Sequence, residues 1–359
     1  MTISYSDPRV EAIFQRIGDT IERDGGFDAE LEADLVELTE QSSPEVAAYW
    51  ARTERGRGIP DRAFRTHTLY AFADQAPART FRTSGTSGAG PRGEAHYSPR
   101  GLALLDLTII AQARRRLVCD IDTPAIVRLV PDERAAPEMI MAYGMGVIAA
   151  RLGDAATSAV VVGPRGVDFD LLAKTLDRAV AAEQPVVLIG GSFAFVNVCD
   201  ALEAKGARFA LPSGSRMLDA GGFKGRSREL DVDTLRASVG RVFGIAPDRC
   251  LNLFGMTELA SQLYDGDDIA LGPLGERPKA ATAYIEPRVR DARTMQRIER
   301  GAGLLEVTDL CILDRPPTVL TGDLAIAAPG GVAITGRAER GQTRGCSLSL
   351  ESLPQQEVA

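Results

Sequence analysis

Apolar positions recur every three or four residues through the first fifty residues of the chain. Phe14, Ile17 and Ile21 fall on one helical face, and Leu31, Leu35 and Leu38 fall on that of a second helix opened by Asp28. Residues 54–80 read as a loop with a short apolar segment. Helical spacing returns from Gly101 to Arg116, with Leu102, Leu105, Ile109 and Ala113 on one face. Beyond it β-rich and helical runs alternate: strands at 125–130, 158–163, 185–190 and 208–211, helices at 138–153, 170–183 and 192–206. Such alternation predicts an α/β fold of parallel βαβ units with helices on both faces of the sheet. After Arg290 the runs shorten to LLEVTDL, AIAAP and VAITG between Gly and Pro, the composition of a smaller β lobe. The expected division is a helical segment at 1–80, an α/β core at 81–290, a β lobe at 291–335 and a short tail at 336–359.

Composition narrows the classes. The 359 residues carry 41 Lys+Arg against 49 Asp+Glu, a net charge of −8, which argues against a nucleic-acid or anionic-membrane surface. Five cysteines at 119, 199, 250, 311 and 346 form no CxxC pair, which suits reduced thiols and excludes a disulfide framework or a cysteine-based zinc site. His67 and His96 are the only histidines, too few for a histidine-rich metal centre. No leader is readable at Met1, and the longest apolar run, from Pro185, is broken by Gly, Ser and Asn. The expectation is a cytoplasmic protein.

Three short segments could carry chemistry. Thr83, Ser84, Gly85, Thr86, Ser87 and Gly88, followed by Arg92, could form a flexible linker. Lying between an apolar entry and a helix, they could equally surround a polyphosphate with hydroxyls, bare N–H groups and one positive charge. No Walker A pattern is present. Gly255, Met256, Thr257 and Glu258 follow a short apolar lead and could be a strand end. Alternatively the hydroxyl and carboxylate could meet a phosphate and Mg²⁺, which prefers oxygen ligands. Asp323 in Thr321-Gly322-Asp323 could be a turn residue or a ligand for the two hydroxyls of a ribose, and Gly336-Arg337 closes the next short strand.

Taken in order, SGTSG, GMTE, TGD and GR resemble the adenylate-forming superfamily, which activates carboxylic acids with ATP. The stretch Leu211–Gly225 (LPSGSRMLDAGGFKG), the segment NLFGMTELASQLYD and Arg344-Gly-Cys-Ser-Leu348 are similar to the LuxE-like acyl-protein synthetases, which are related to phenylacetate-CoA ligases. The resemblance covers roughly residues 80–355. It implies the N-terminal core of an adenylate-forming enzyme. It also implies formation of an acyl-AMP, acyl transfer to the enzyme's own cysteine, and delivery to a partner NADPH-dependent acyl reductase (LuxC-like) that releases an aldehyde.

Carried over by position, the resemblance assigns Thr83–Gly88 to the ATP phosphates and Gly221 and Gly222 to the adenine. It assigns Thr257 and Glu258 to the α-phosphate and Mg²⁺, Asp323 to the ribose with Arg337 in support, and Cys346 to the acyl group. Ser192, Phe193, Gly255 and Met256 are expected to line the acid pocket, for a fatty or an aromatic acid. Arg340 and Arg344 would lower the Cys346 pKa. The other four cysteines lie in apolar runs and read as structural, and His96 reads as a packed loop residue.

Larger relatives carry a swinging C-terminal domain with a catalytic lysine, whereas here the last lysine is Lys279 and 23 residues follow Gly336. Lys224 and Arg92 are the candidates for the missing charge. Coenzyme A or a carrier protein is the alternative acceptor. A non-catalytic partner of a reductase is the reading from a different class.

Overall fold

A computed structural model describes residues 3–23, 25–84, 90–221, 227–228, 230–266 and 278–338. By internal contact the chain divides into two compact units, residues 1–108 with 256–359, and residues 109–255.

The first unit opens with the helices Pro8–Glu22, Ala29–Ser42 and Pro44–Arg52. Asp7, Asp28 and Ser43 cap them by accepting from the N–H groups of Arg9, Leu31 and Val46, and proline enters the first turn of the first and third. Ile17, Ile21, Leu31 and Leu35 are buried, as the spacing requires. The unit's sheet runs in the order Lys279–Ala280, Gly331–Arg337, Thr318–Ala328, Gly301–Asp309, Ile285–Arg290, Arg297–Ile298, antiparallel throughout. The short strand Ile59–Pro60 joins it in parallel beside Val319 and Leu320. The β lobe expected at 291–335 is therefore part of a wider sheet that recruits residues 59–60, 279–280 and 285–290. Those strands join by long-range pairing, which local composition does not reveal.

In the second unit the strands Cys250–Phe254, Arg216–Ala220, Val186–Gly191, Ala125–Pro131 and Ala159–Gly163 lie parallel in that order, and Gly166–Val167 turns back antiparallel. All six residues of Val186–Gly191 are buried. Val186 and Leu188 pack in one cluster with Leu172, Phe195, Val239 and Phe243 from three helices. The alternate residues Val187 and Ile189 are as deeply buried on the opposite face, so both faces are covered. Each such aliphatic side chain contributes about 1.5–3 kcal/mol on burial.

One expected strand is absent. Residues 207–212 are irregular, and their N–H groups go to a helix end: Phe209 N donates to Val242 O and Leu211 N to Phe243 O. They satisfy the last carbonyls of the helix Val232–Phe243, and Phe209 stacks on Phe243 at 6.1 Å. The strand beside Val186–Gly191 is Arg216–Ala220 instead.

Candidate active site

Antiparallel strands Arg79–Arg82 and Glu94–Tyr97 carry the expected phosphate loop between them. Phe81 and Tyr97 are buried, with ring centroids 5.5 Å apart, and anchor the hairpin. Two bonds close the neck of the loop: Thr83 N donates to Gly93 O, and Gly93 N to Thr83 Oγ1, each at 2.9 Å. Arg92 folds back on this neck, donating from Nε to Thr83 O (2.5 Å) and from Nη2 to Arg82 O (3.2 Å). Its guanidinium braces the hairpin. Ser84 is exposed at the loop's start. Gly85, Thr86, Ser87 and Gly88 lie outside the described residues.

Glu258 faces this neck. A Cβ on Gly93 would lie 3.5 Å from Glu258 Oε1 and 3.1 Å from Thr83 Cγ2, so glycine keeps the approach open. Glu258 is 5% exposed. Burial first, and then the charge of Asp61, push its carboxyl up to about 7, with Arg337 and Arg315 pulling the other way. The turn that presents it is clamped from two sides. Arg315 Nε donates to Glu258 O (3.1 Å) and Nη2 to Tyr97 Oη (2.7 Å), while Tyr97 Oη donates to Leu259 O (2.8 Å). On the other side Asp309 accepts from Ala260 N, Ser261 N, Ser261 Oγ and Cys311 N.

Asp323 and Arg337 are register partners on adjacent strands. Arg337 Nη2 donates to Asp61 Oδ2 at 2.8 Å. The pair packs against Gly322: a Cβ there would lie 3.4 Å from Arg337 Nε and 3.5 Å from Asp61 Oδ2, ordinary contact distances. Thr321 is buried and structural, donating to Leu305 O while Asp323 N donates to its Oγ1. The first unit thus brings together Thr83, Glu258, Asp323 and Arg337, along with Asp61, Arg315, Tyr97 and Asp309, which sequence reasoning missed. No short motif marks those four, because each acts across tens to hundreds of residues.

In the second unit a polar cluster caps the carboxyl ends of three parallel strands, where open α/β sheets usually bind ligands. Ser192 Oγ lies 2.5 Å from Asp219 Oδ2 and 2.9 Å from Gly221 O, and Asn252 Nδ2 donates to Asp219 Oδ2 (2.9 Å). Ser192 is 3% exposed with its hydroxyl engaged by these two oxygens, so its visible role is to tie helix Ser192–Ala204 to the strand end. Gly221 has φ +75°, a conformation that favours glycine. Phe193 is half-buried on the apolar cluster, its ring over Gly191, and Gly255 is exposed. Thr257 and Met256, both half-buried, belong to the first unit.

Gly222, Lys224 and Cys346 lie outside the described residues. Cys199, Cys250 and Cys311 are buried as expected, and burial pushes the Cys199 thiol up to about 12. Cys119 differs from its expected structural role in being exposed. Among the described residues no three His, Cys, Asp or Glu side chains group to hold a metal ion, and no helix is long and apolar enough to cross a membrane.

Solved structures identify the architecture. A long-chain-fatty-acid-CoA ligase (FadD1) from Archaeoglobus fulgidus matches at TM-score 0.53 and 14% identity, over 73% of this chain and 52% of its own. McyG A-PCP, complexed with phenylalanyl-adenylate, matches at TM-score 0.51 and 17% identity, over 76% and 43%. At these identities the likeness defines the fold: that of the adenylate-forming enzymes. The chain spans about half the length of these structures. No curated protein matches it in sequence. The chain belongs to the LuxE acyl-protein synthetase family, whose model matches residues 58–353.

Proposed function

We propose that the protein activates a carboxylic acid with ATP and passes the acyl group to a thiol. The observation that carries this reading is Glu258, held in a buried turn facing the neck of the hydroxyl-rich loop, with Arg337 and Asp61 as charged neighbours. Thr83 and the loop through Gly88 would bind the ATP phosphates, Gly221 and Gly222 the adenine, Thr257 the α-phosphate, and Asp323 and Arg337 the ribose. Glu258 would fit Mg²⁺, which takes one or two carboxylates together with phosphate oxygens: it is a buried oxygen donor with the Asp61 carboxylate among its charged neighbours. The ion would supply neutralisation of the polyphosphate charge.

In the first step the substrate carboxylate adds to the α-phosphorus, the bond to the bridging oxygen breaks, and pyrophosphate leaves. The protein's contribution is position and preset charge. In the second step a thiolate sulfur attacks the acyl carbon and AMP leaves. Cys346 is the proposed thiol, and a partner NADPH-dependent acyl reductase would consume the thioester. Lys224 is proposed as the cation opposite the reacting carboxylate, since Arg92 is engaged by the hairpin's carbonyls. Phe193, Gly255 and Met256 are proposed for the pocket of a fatty or aromatic acid.

The test is the intact mass of the protein after incubation with ATP, Mg²⁺ and a panel of fatty and aromatic acids, beside Cys346→Ala. A hydroxylamine-labile adduct of the acid minus water, absent from the variant, establishes self-acylation and names the acid class. AMP formation that appears only with added coenzyme A or a carrier protein moves the acceptor outside the chain. Absence of both AMP and acid-dependent ATP–pyrophosphate exchange overturns the reading.

A further inference from the structure

Asp61 stands in a segment with no recognisable motif, yet it ends beside the strand pair that carries Asp323 and Arg337. Ile59–Pro60 pairs in parallel with Val319–Leu320, two residues before Gly322-Asp323. The chain then turns into a short 3-10 helix, Asp61–Arg65, and this turn places the Asp61 carboxylate against Gly322. The carboxylate is 6% exposed. Of its two oxygens, Oδ2 accepts from Arg337 Nη2 at 2.8 Å, and Oδ1 is buried with no hydrogen-bond partner among the described residues. Removing the one cation that a buried carboxylate meets leaves its charge uncompensated, which disfavours letting Arg337 go.

Arg337 is in the opposite situation. Its side chain is 62% exposed, at the last residue of its strand, and a guanidinium so placed would sample many rotamers. Asp61 removes that freedom, and it does so opposite Asp323. The pair of Asp61 and Arg337 lies against Gly322, within ordinary contact of where a Cβ there would stand.

Resting on the adenylating reading above, we infer that Asp61 is a positioning residue: it presets the Arg337 guanidinium beside Asp323 for the sugar end of the nucleotide. The arginine then meets the ribose without ordering cost at the moment of binding, and the contribution should appear in nucleotide affinity rather than in the chemical step. The triphosphate end, served by the hairpin loop and Glu258, meets Asp61 only through its charge, which raises the Glu258 carboxyl; at pH 8, where Glu258 is ionised, that end should sense the substitution far less than the sugar end.

The experiment uses the full chain and the variants Asp61→Asn, Arg337→Gln and the double variant. Affinities for AMP and for inorganic tripolyphosphate are read by equilibrium dialysis at pH 8, with steady-state ATP–pyrophosphate exchange alongside. Asp61→Asn is expected to weaken AMP and raise the KM for ATP by about tenfold, with kcat and tripolyphosphate affinity within about twofold. The double variant should bind AMP no worse than Arg337→Gln alone, because both substitutions remove one interaction. Arg337→Gln changes an exposed side chain and keeps the comparison readable even where Asp61→Asn unfolds more easily. AMP affinity unchanged in Asp61→Asn, or losses that add in the double variant, overturn the role of Asp61. If the wild-type chain binds neither AMP nor ATP, the adenylating reading itself fails, and the role of Asp61 fails with it.

Discussion

Arg315 and Tyr97 are bonded to each other and, separately, to successive carbonyls of one turn. Arg315 Nη2 donates to Tyr97 Oη, Arg315 Nε to Glu258 O, and Tyr97 Oη to Leu259 O. The guanidinium also lies 4.2 Å from the centroid of the tyrosine ring. The carboxylate of Glu258 is aimed by a clamp built from neither of the motifs that flank it.

Tyr97→Phe keeps the ring and removes the hydroxyl, leaving Leu259 O and one Arg315 donor unpaired in a buried place. Urea denaturation should show a loss of about 2–3 kcal/mol. Pyrophosphate exchange should fall more than tenfold through kcat if the clamp sets the Glu258 position.

On the proposed function, Glu258 should make nucleotide binding pH-dependent. Its carboxyl holds a proton up to about 7, so binding of Mg²⁺ with nucleotide must displace that proton below neutrality. Titration calorimetry should show affinity rising with pH up to about 7 and levelling above it, with a flat profile in Glu258→Gln. The sign for stability is the reverse. The folded form binds the proton more tightly than the unfolded chain, so the cost of ionising Glu258 grows from about pH 4.5 and is complete above 7. Glu258→Gln should therefore be more stable than the wild type at pH 8, by about 1–3 kcal/mol, and show little of this gain at pH 4.

Asp309→Asn replaces a buried acceptor of four hydrogen bonds by a group that must turn two donors toward some of them. A loss of about 2–4 kcal/mol is expected. Differential scanning calorimetry checks it. Equal melting of the variant and wild type would contradict the clamp.

Gly101→Ala tests a purely steric statement. A Cβ there would fall 1.6 Å from Asp314 Oδ2, inside the first turn of the helix Pro99–Gln112. The substitution should cost about 3 kcal/mol or more. Asp314→Ala in the same chain should recover part of the loss, since it removes the obstructing carboxylate.

The alternating core was legible because each of its signals is local. The βαβ run from 125 to 206 rests on periodicity within single elements, and those elements appear within a few residues of expectation. Glu258, Asp323 and Arg337 stand in short motifs that the sequence displays, and the structure brings them into one unit. Asp61, Arg315 and Tyr97 were not legible, because their meaning lies in partners far along the chain, and a single aspartate after Ile-Pro reads as an ordinary turn. The helix Val232–Phe243 had a readable signature in Leu235, Val239 and Val242 between the cap Asp231 and Gly244. Residues 208–211 misled for a physical reason: a short apolar run looks the same whether its N–H groups face a strand or a helix end.

The pairing of Ile59–Pro60 with Val319–Leu320 also orders events during synthesis. The first unit is discontinuous, interrupted by the whole of residues 109–255, whereas the second is one uninterrupted stretch. The continuous second unit can therefore collapse while the first is still missing strands. At ordinary elongation rates the wait for residues 279–337 is on the order of ten seconds or more. Through that interval the early helices and the Asp61 turn have no sheet to close against, and they are the segment a chaperone or a protease meets first.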